Sequence, residues 1–159
     1  MFIGEIMRVR TCDYLATSPL DLGCMPRLRP PATSVQIEEL ESLADQPLDP
    51  DYRKFLSLTD GLDGFHYSTP LMGFRDWEDP QRRGLAVMFR DVTLEAGPLE
   101  EVGLSEGTRI FPMYVNAQGS AGMLMLQADD TDAGRYWWTG AGDNMLFRTF
   151  REAVTYMMG

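Results

Sequence analysis

From Thr33 onward, apolar positions follow two rhythms that occupy separate stretches of the chain. The first is helical. Ile37, Leu40, Leu43 and Ala44 recur on one face, while Glu38, Glu39 and Glu41 point outward. Thr33 and Gln36 have the spacing of a capping box, and Gln46-Pro47 ends the run. A second helix opens at Asp49, a good N-cap, with Pro50 at the first helical position, where a missing N–H costs nothing. Tyr52, Phe55 and Leu56 form its buried stripe, and Gly61 suits a left-handed residue beyond its last turn. The short link between the two helices makes them neighbours.

The second rhythm belongs to strands. Arg109–Val115, Met123–Gln127 and Arg135–Thr139 are apolar, β-prone runs separated by Gly- and Asp-bearing turns, which predicts an antiparallel meander. A closing helix follows. Thr149 and Glu152 make its capping box, and Phe150, Ala153, Val154 and Met157 keep its spacing. Leu146 and Phe147 fit the same period and leave an earlier start open. The middle is weaker. Leu71–Phe74 and Leu85–Phe89 read as short strands, Arg75–Gly84 as a polar excursion and Glu95–Gly107 as an acidic connection. Residues 1–32 are poorly periodic. Met1–Arg10 allows a strand and Ser18–Pro31 is proline-rich and irregular, so residues 1–32 read as an irregular lead-in packed on the domain formed by residues 33–159. Two helices, then mainly strands, then a helix define an α+β fold.

Charge adds the first functional information. The 159 residues carry 24 acids against 14 bases, a net charge of −10. Phosphate binding needs a basic face, so nucleic acid is not an expected partner. The acids cluster. Residues 38–63 hold eight acids and two bases, residues 91–108 hold five acids and no base, and Asp129, Asp130 and Asp132 share one turn. Such clusters solvate a surface, and they also aim a negative field at a basic partner protein. No run approaches the ~20 apolar residues of a membrane span. Met1–Met7 places Glu5 inside a short apolar run and lacks the basic lead of a signal peptide. The expected setting is therefore the cytoplasm, with Cys12 and Cys24 kept as thiols.

Candidate chemistry is sparse. His66 is the single histidine, so a Ser/His/Asp or Cys/His nucleophile would have to use it, and its place after Gly64-Phe65 is that of a loop or strand-edge residue. Cys12, Cys24 and His66 lack zinc-site spacing. The acids of Asp129–Gly134 do not fit a calcium loop, because counting from Asp130 puts Gly134 where the fifth-position ligand belongs. Gly119-Ser120-Ala121-Gly122 leads into a strand, whereas a nucleophile elbow leads into a helix. No carboxylate pair is set apart by spacing or by an apolar setting. The expectation is no catalysis, no cofactor and no metal. Tyr136-Trp137-Trp138 is the notable non-acidic element. Neighbours on a strand face opposite sides, so one tryptophan belongs in the core. The other is either covered or left as an exposed aromatic anchor, the residue type that dominates binding interfaces.

Several segments resemble the SUKH superfamily, the group of cell-wall-assembly regulators of the Smi/Knr type. Ile37-Glu38-Glu39-Leu40-Glu41 is similar to its acidic first helix, and Leu48-Asp49-Pro50-Asp51-Tyr52-Arg53-Lys54-Phe55-Leu56 to its LPxDYxxFL stretch, with Asp49 inserted. Thr59–Phe65 carries Asp60-Gly61 where the family has Asn-Gly. Ile110-Phe111-Pro112, Gly119, Gly122, Met123–Gln127, Gly134 and Trp138 match its meander, and Thr149-Phe150-Arg151-Glu152 stands in place of its SFxEF. The likeness covers residues 34–66 and 109–158. It implies a binding module without chemistry. Bacterial members resemble immunity proteins that bind a cognate toxin domain and block it, and many such toxins are basic nucleases. The expected contacts are then Asp129, Asp130, Asp132 and one of Trp137 and Trp138, followed by Glu100 and Glu101, and by Asp60 and Asp63. A regulatory scaffold of the same family is one alternative. A hydrolase using paired carboxylates is another.

Overall fold

A computed structural model of the chain describes residues 2–17, 23–128 and 134–159. Both expected N-terminal helices form where their caps put them. Helix α2 spans Ser34–Ala44, and the capping box of Thr33 and Gln36 is closed in both directions. Helix α3 spans Pro50–Leu56, with the Asp49 carboxylate accepting from the Asp51 amide. Ile37, Leu40 and Ala44 of the first, and Tyr52, Phe55 and Leu56 of the second, are buried as the spacing requires. Leu43, although in phase with that stripe, is exposed.

The meander is four-stranded. It consists of β4 (Ile110–Val115), β5 (Ala121–Leu126), β6 (Tyr136–Gly140) and β7 (Asp143–Phe147), paired antiparallel in that order. Leu146 and Phe147 therefore lie on a strand, and the closing helix, here α6, begins only at Phe150. The turn that makes this fourth strand is Ala141-Gly142, both residues left-handed at φ 56° and 88°, the geometry of a two-residue hairpin of type I′. Upstream lies a second, three-stranded antiparallel sheet. It joins β1 (Arg27–Leu28), β2 (Leu62–His66) and β3 (Thr69–Leu71). One backbone bond, Met72 N–H to Met113 C=O at 2.8 Å, stitches β3's end to β4.

Three readings of the weakly patterned regions are corrected by the structure. Residues Phe2–Thr17 form a helix, α1, where a strand or an irregular lead-in was expected. It is docked through Ile6, which is fully buried, through an edge-on contact of Phe2 with Phe150, and through the Arg10 guanidinium donating to the Met157 carbonyl at 3.1 Å. The polar excursion contains α4 (Phe74–Glu78), so Phe74 begins a helix and ends no strand. The strand expected at Leu85–Phe89 lies inside α5 (Pro80–Ala96), whose Ala86, Phe89 and Thr93 are buried at helical spacing.

The four-stranded sheet lies between helices. On one side α5 packs against β4, and the Phe89 ring sits 2.7 Å from where a side chain at Gly122 would begin. On the other side Tyr136 meets Phe150 of α6, which in turn packs on Tyr52 and Phe55 of α3. Both faces of β4 and β5 are consequently buried along their whole length. That explains why these two strands read as continuous apolar runs with no alternation.

Candidate functional site

Among the described residues, carboxylates converge at an ionic junction around Arg29. Arg29 follows β1, Asp60 precedes β2, Asp63 lies on β2 and Asp76 on α4. The Arg29 guanidinium donates to both oxygens of Asp76, at 2.6 and 3.0 Å, and to Asp63 at 2.6 Å. Arg82 also pairs with Asp76, and Arg27 with Asp63 at 3.0 Å. Asp60 accepts from the amides of Phe74 and Arg75 at 2.5 and 3.1 Å, capping α4. Asp76 accepts from the Gly73 amide at 2.8 Å. All six oxygens of the three carboxylates are thus engaged from within the chain. Gly61 keeps the space open, since a side chain there would begin 2.9 Å from Arg29 Nη1 at a backbone φ of 81°. Burial works against the charge of Asp63, but the bonds from Arg29 and Arg27 outweigh it and hold its carboxyl below the ordinary range. The same carboxylates outweigh burial for Arg29 and hold it protonated.

The junction gives Asp60 and Asp63, two of the expected contacts, structural roles within the chain. Asp60 is buried and caps a helix, and Asp63 is drawn inward by two arginines. They join β1 and β2 to α4, and no spacing rule links Arg29, the Asp60–Asp63 pair and Asp76.

Glu100 and Glu101 behave differently. They lie on a short 3-10 turn, Glu100–Val102, and both are exposed. Leu104 is buried, Leu99 and Val102 pack against the core, and the Leu104 amide donates to the Leu99 carbonyl at 2.8 Å. The acids are therefore held outward on an anchored segment. Among the described residues, no ion pair engages Glu95, Glu100, Glu101 or Glu106. Preceding them on α5, Met88 and Val92 are exposed at 49% and 56%. Residues 88, 92 and 95 fall at i, i+4 and i+7, so this helix face presents two apolar side chains and an acid in one row.

The aromatic strand resolves as alternation requires. Trp137 is fully buried, faces the α5 side with its cross-strand neighbour Leu124, and donates its indole N–H to the Asn144 side chain at 3.3 Å. It is the core member of the pair, which leaves Trp138 as the contact candidate. Trp138 is half-buried on the opposite side, stacked on Tyr114 at 6.1 Å and edge-on to Tyr156 at 5.7 Å. It lies across the sheet from α5, so the structure does not bring it together with Met88, Val92 and Glu95. Asp129, Asp130 and Asp132 lie outside the described residues.

A pocket of about 260 Å³ adjoins His66, lined in part by Arg10, Asp13, Tyr14, Cys24 and Tyr67. The imidazole Nδ1 lies 3.2 Å from the Tyr114 hydroxyl, and the Cys24 thiol faces the Tyr67 carbonyl at 3.8 Å. Among the described residues no hydrogen bond joins the thiol to the imidazole, so they form no nucleophile–base pair here. Burial, and then the Arg10 charge, push the His66 pKa down, so its ring is neutral at pH 7. Burial also pushes the Tyr114 phenol up to about 12. Arg10 and Tyr114, absent from the sequence reading, carry no motif that would have singled them out. Among the described residues no group of three or more His, Cys, Asp or Glu side chains is placed to hold a metal ion, and no helix is long and apolar enough to cross a membrane.

No protein-family model matches the chain, and a search of curated proteins finds no match.

Proposed function

We propose that this protein is a binding module for a basic polypeptide, and that its acidic α5-to-β4 segment is the contact. One observation carries the reading. Glu95, Glu100 and Glu101 are exposed, unpaired among the described residues and held on an anchored stretch beside exposed Met88 and Val92. Such a face combines a steering field with apolar area, the two ingredients of a fast and specific protein interface. The finer reading is neutralisation of a toxin domain, and it rests on the resemblance to immunity proteins of the SUKH type. A carboxylate hydrolase finds less support. The acids that converge, Asp60, Asp63 and Asp76, have every oxygen engaged by this chain's own donors.

The test is a pull-down of basic polypeptides followed by association kinetics of the captured partner across a salt series. The on-rate is expected to fall as ionic strength rises. The variant Glu95→Gln/Glu100→Gln/Glu101→Gln is expected to lower it about tenfold at low salt, within the range that steering supplies. An on-rate indifferent both to salt and to the triple variant removes the acidic segment from the interface.

A further inference from the structure

The two outer strands of the paired sheets are finished differently. Strand β1 has two residues, and exposed Arg27 stands on it, which blunts that edge. Strand β7 has five residues, Asp143–Phe147, in unbroken register with β6 from Gly140↔Asp143 to Tyr136↔Phe147. It contains no proline, no bulge and no charge beyond its first residue, and no further strand covers it among the described residues. Natural sheets seldom leave so long an edge unguarded.

The hairpin fixes which backbone groups are free. In a two-residue hairpin the pair beside the loop exchanges both hydrogen bonds, and bonded and unbonded pairs then alternate. Residues 143, 145 and 147 therefore aim their N–H and C=O groups at β6. Asn144 and Leu146 aim theirs outward.

We infer that β7 is a self-pairing edge, and that its occupant is β7 of a second copy of this chain, antiparallel about a two-fold axis at Met145. A two-fold axis normal to the sheet must keep side chains of facing residues on one side, so a residue has to face its own copy. Centring on Met145 sets Asn144 opposite Leu146 of the second copy. All four outward donors and acceptors of each strand are then satisfied. Met145, exposed at 44% beside Trp138, meets its own counterpart. Charge agrees with this direction. Asp143 at the start and Arg148 just past the end are both exposed and in no ion pair among the described residues. In the antiparallel arrangement Asp143 faces Phe147 of the second copy, and the acidic start of each strand lies at the Arg148 end of the other. A parallel arrangement would set like charges together.

This edge is separate from the α5-to-β4 segment, and salt distinguishes the two. Two chains of net charge −10 repel at long range, so self-association tightens as salt rises, whereas binding of a basic partner weakens. Sedimentation velocity of the whole chain over a concentration series is expected to show a monomer–dimer equilibrium with that salt dependence. Met145→Lys places two cations against each other on the axis. It is expected to weaken the dimer about tenfold, ~1.4 kcal/mol, with the melting curve of the monomer unchanged. In a Cys12→Ser/Cys24→Ser background, Met145→Cys is expected to form an intermolecular disulfide under mild oxidant. Asp143→Cys is not, because only position 145 faces itself. A chain that stays monomeric at its highest soluble concentration overturns the inference, as does a dimer indifferent to Met145→Lys or one cross-linked equally well through position 143.

Discussion

Residues 60–76 and 91–106 are both acidic, and the fold treats them in opposite ways. In the first region Asp60, Asp63 and Asp76 are turned inward, where arginines and backbone amides absorb them. In the second, Glu95, Glu100 and Glu101 remain in water with no cation beside them among the described residues. The difference lies in what accompanies each acid. The first region has Arg27, Arg29 and Arg82 converging on it from two different segments. Residues 91–108 contain no base, and their nearest apolar neighbours anchor the chain and leave the carboxylates outside. A count of acids along a sequence therefore measures neither buried stability nor a binding face until the arginines have been placed.

The comparison breaks most sharply at Arg29. Its side chain and that of Asp76 are 3% and 0% exposed, so Arg29→Met leaves buried carboxylates short of a cation. Removing one partner of such a pair costs about 3–5 kcal/mol, and equilibrium denaturation in urea is expected to show a loss of that size. A smaller effect is expected from acid. The Asp63 carboxyl is held below its ordinary range, so its contribution to stability is present above the unfolded-state pKa of about 3.9 and is lost as pH falls through the lower folded value. Stability measured below about pH 4 should therefore decline, and Asp63→Asn should flatten that decline. The smallest effect belongs to the other region. Glu100→Gln/Glu101→Gln should leave the unfolding midpoint in place, within about 0.5 kcal/mol, because neither carboxylate has a partner to lose. A large destabilisation there would mean that the two acidic regions are not distinct in kind.

Local signals in the sequence were reliable where a cap stood beside a period. Thr33 with Gln36, Asp49 with Pro50 and Thr149 with Glu152 each open a helix at the expected residue. The same Asp-Pro signal recurs at Asp79-Pro80, and the Asp79 carboxylate accepts from the amides of Gln81 and Arg82 at 2.9 and 3.2 Å. It opens the longest helix among the described residues. There it was masked by Gly84 and by the β-prone run Val87-Met88-Phe89, which tertiary packing against β4 holds helical. In α1, Phe2, Ile3, Ile6 and Met7 do carry helical spacing, but the second half of the helix dilutes it, with Leu15 exposed. The alternation of Trp137 and Trp138 across β6 was legible because a strand leaves no other choice. Which tryptophan faces inward was not, since helices cover both sides of the sheet. The Arg29 junction was invisible for a related reason. Its members come from four separate segments, and only the folded chain makes them neighbours.

The Met72–Met113 hydrogen bond has a mechanical consequence. It is the backbone bond by which a sheet drawn from the first half of the chain holds onto one drawn from the second, across the whole length of α4 and α5. Opening the molecule like a book along that seam would strip the buried Met72 amide of its acceptor, while the Met72 carbonyl is held on its own side by the Tyr52 hydroxyl, which donates to it at 2.7 Å. Motion between the two halves is thereby stiffened at the spine, and the freedom left to this protein lies at its margins.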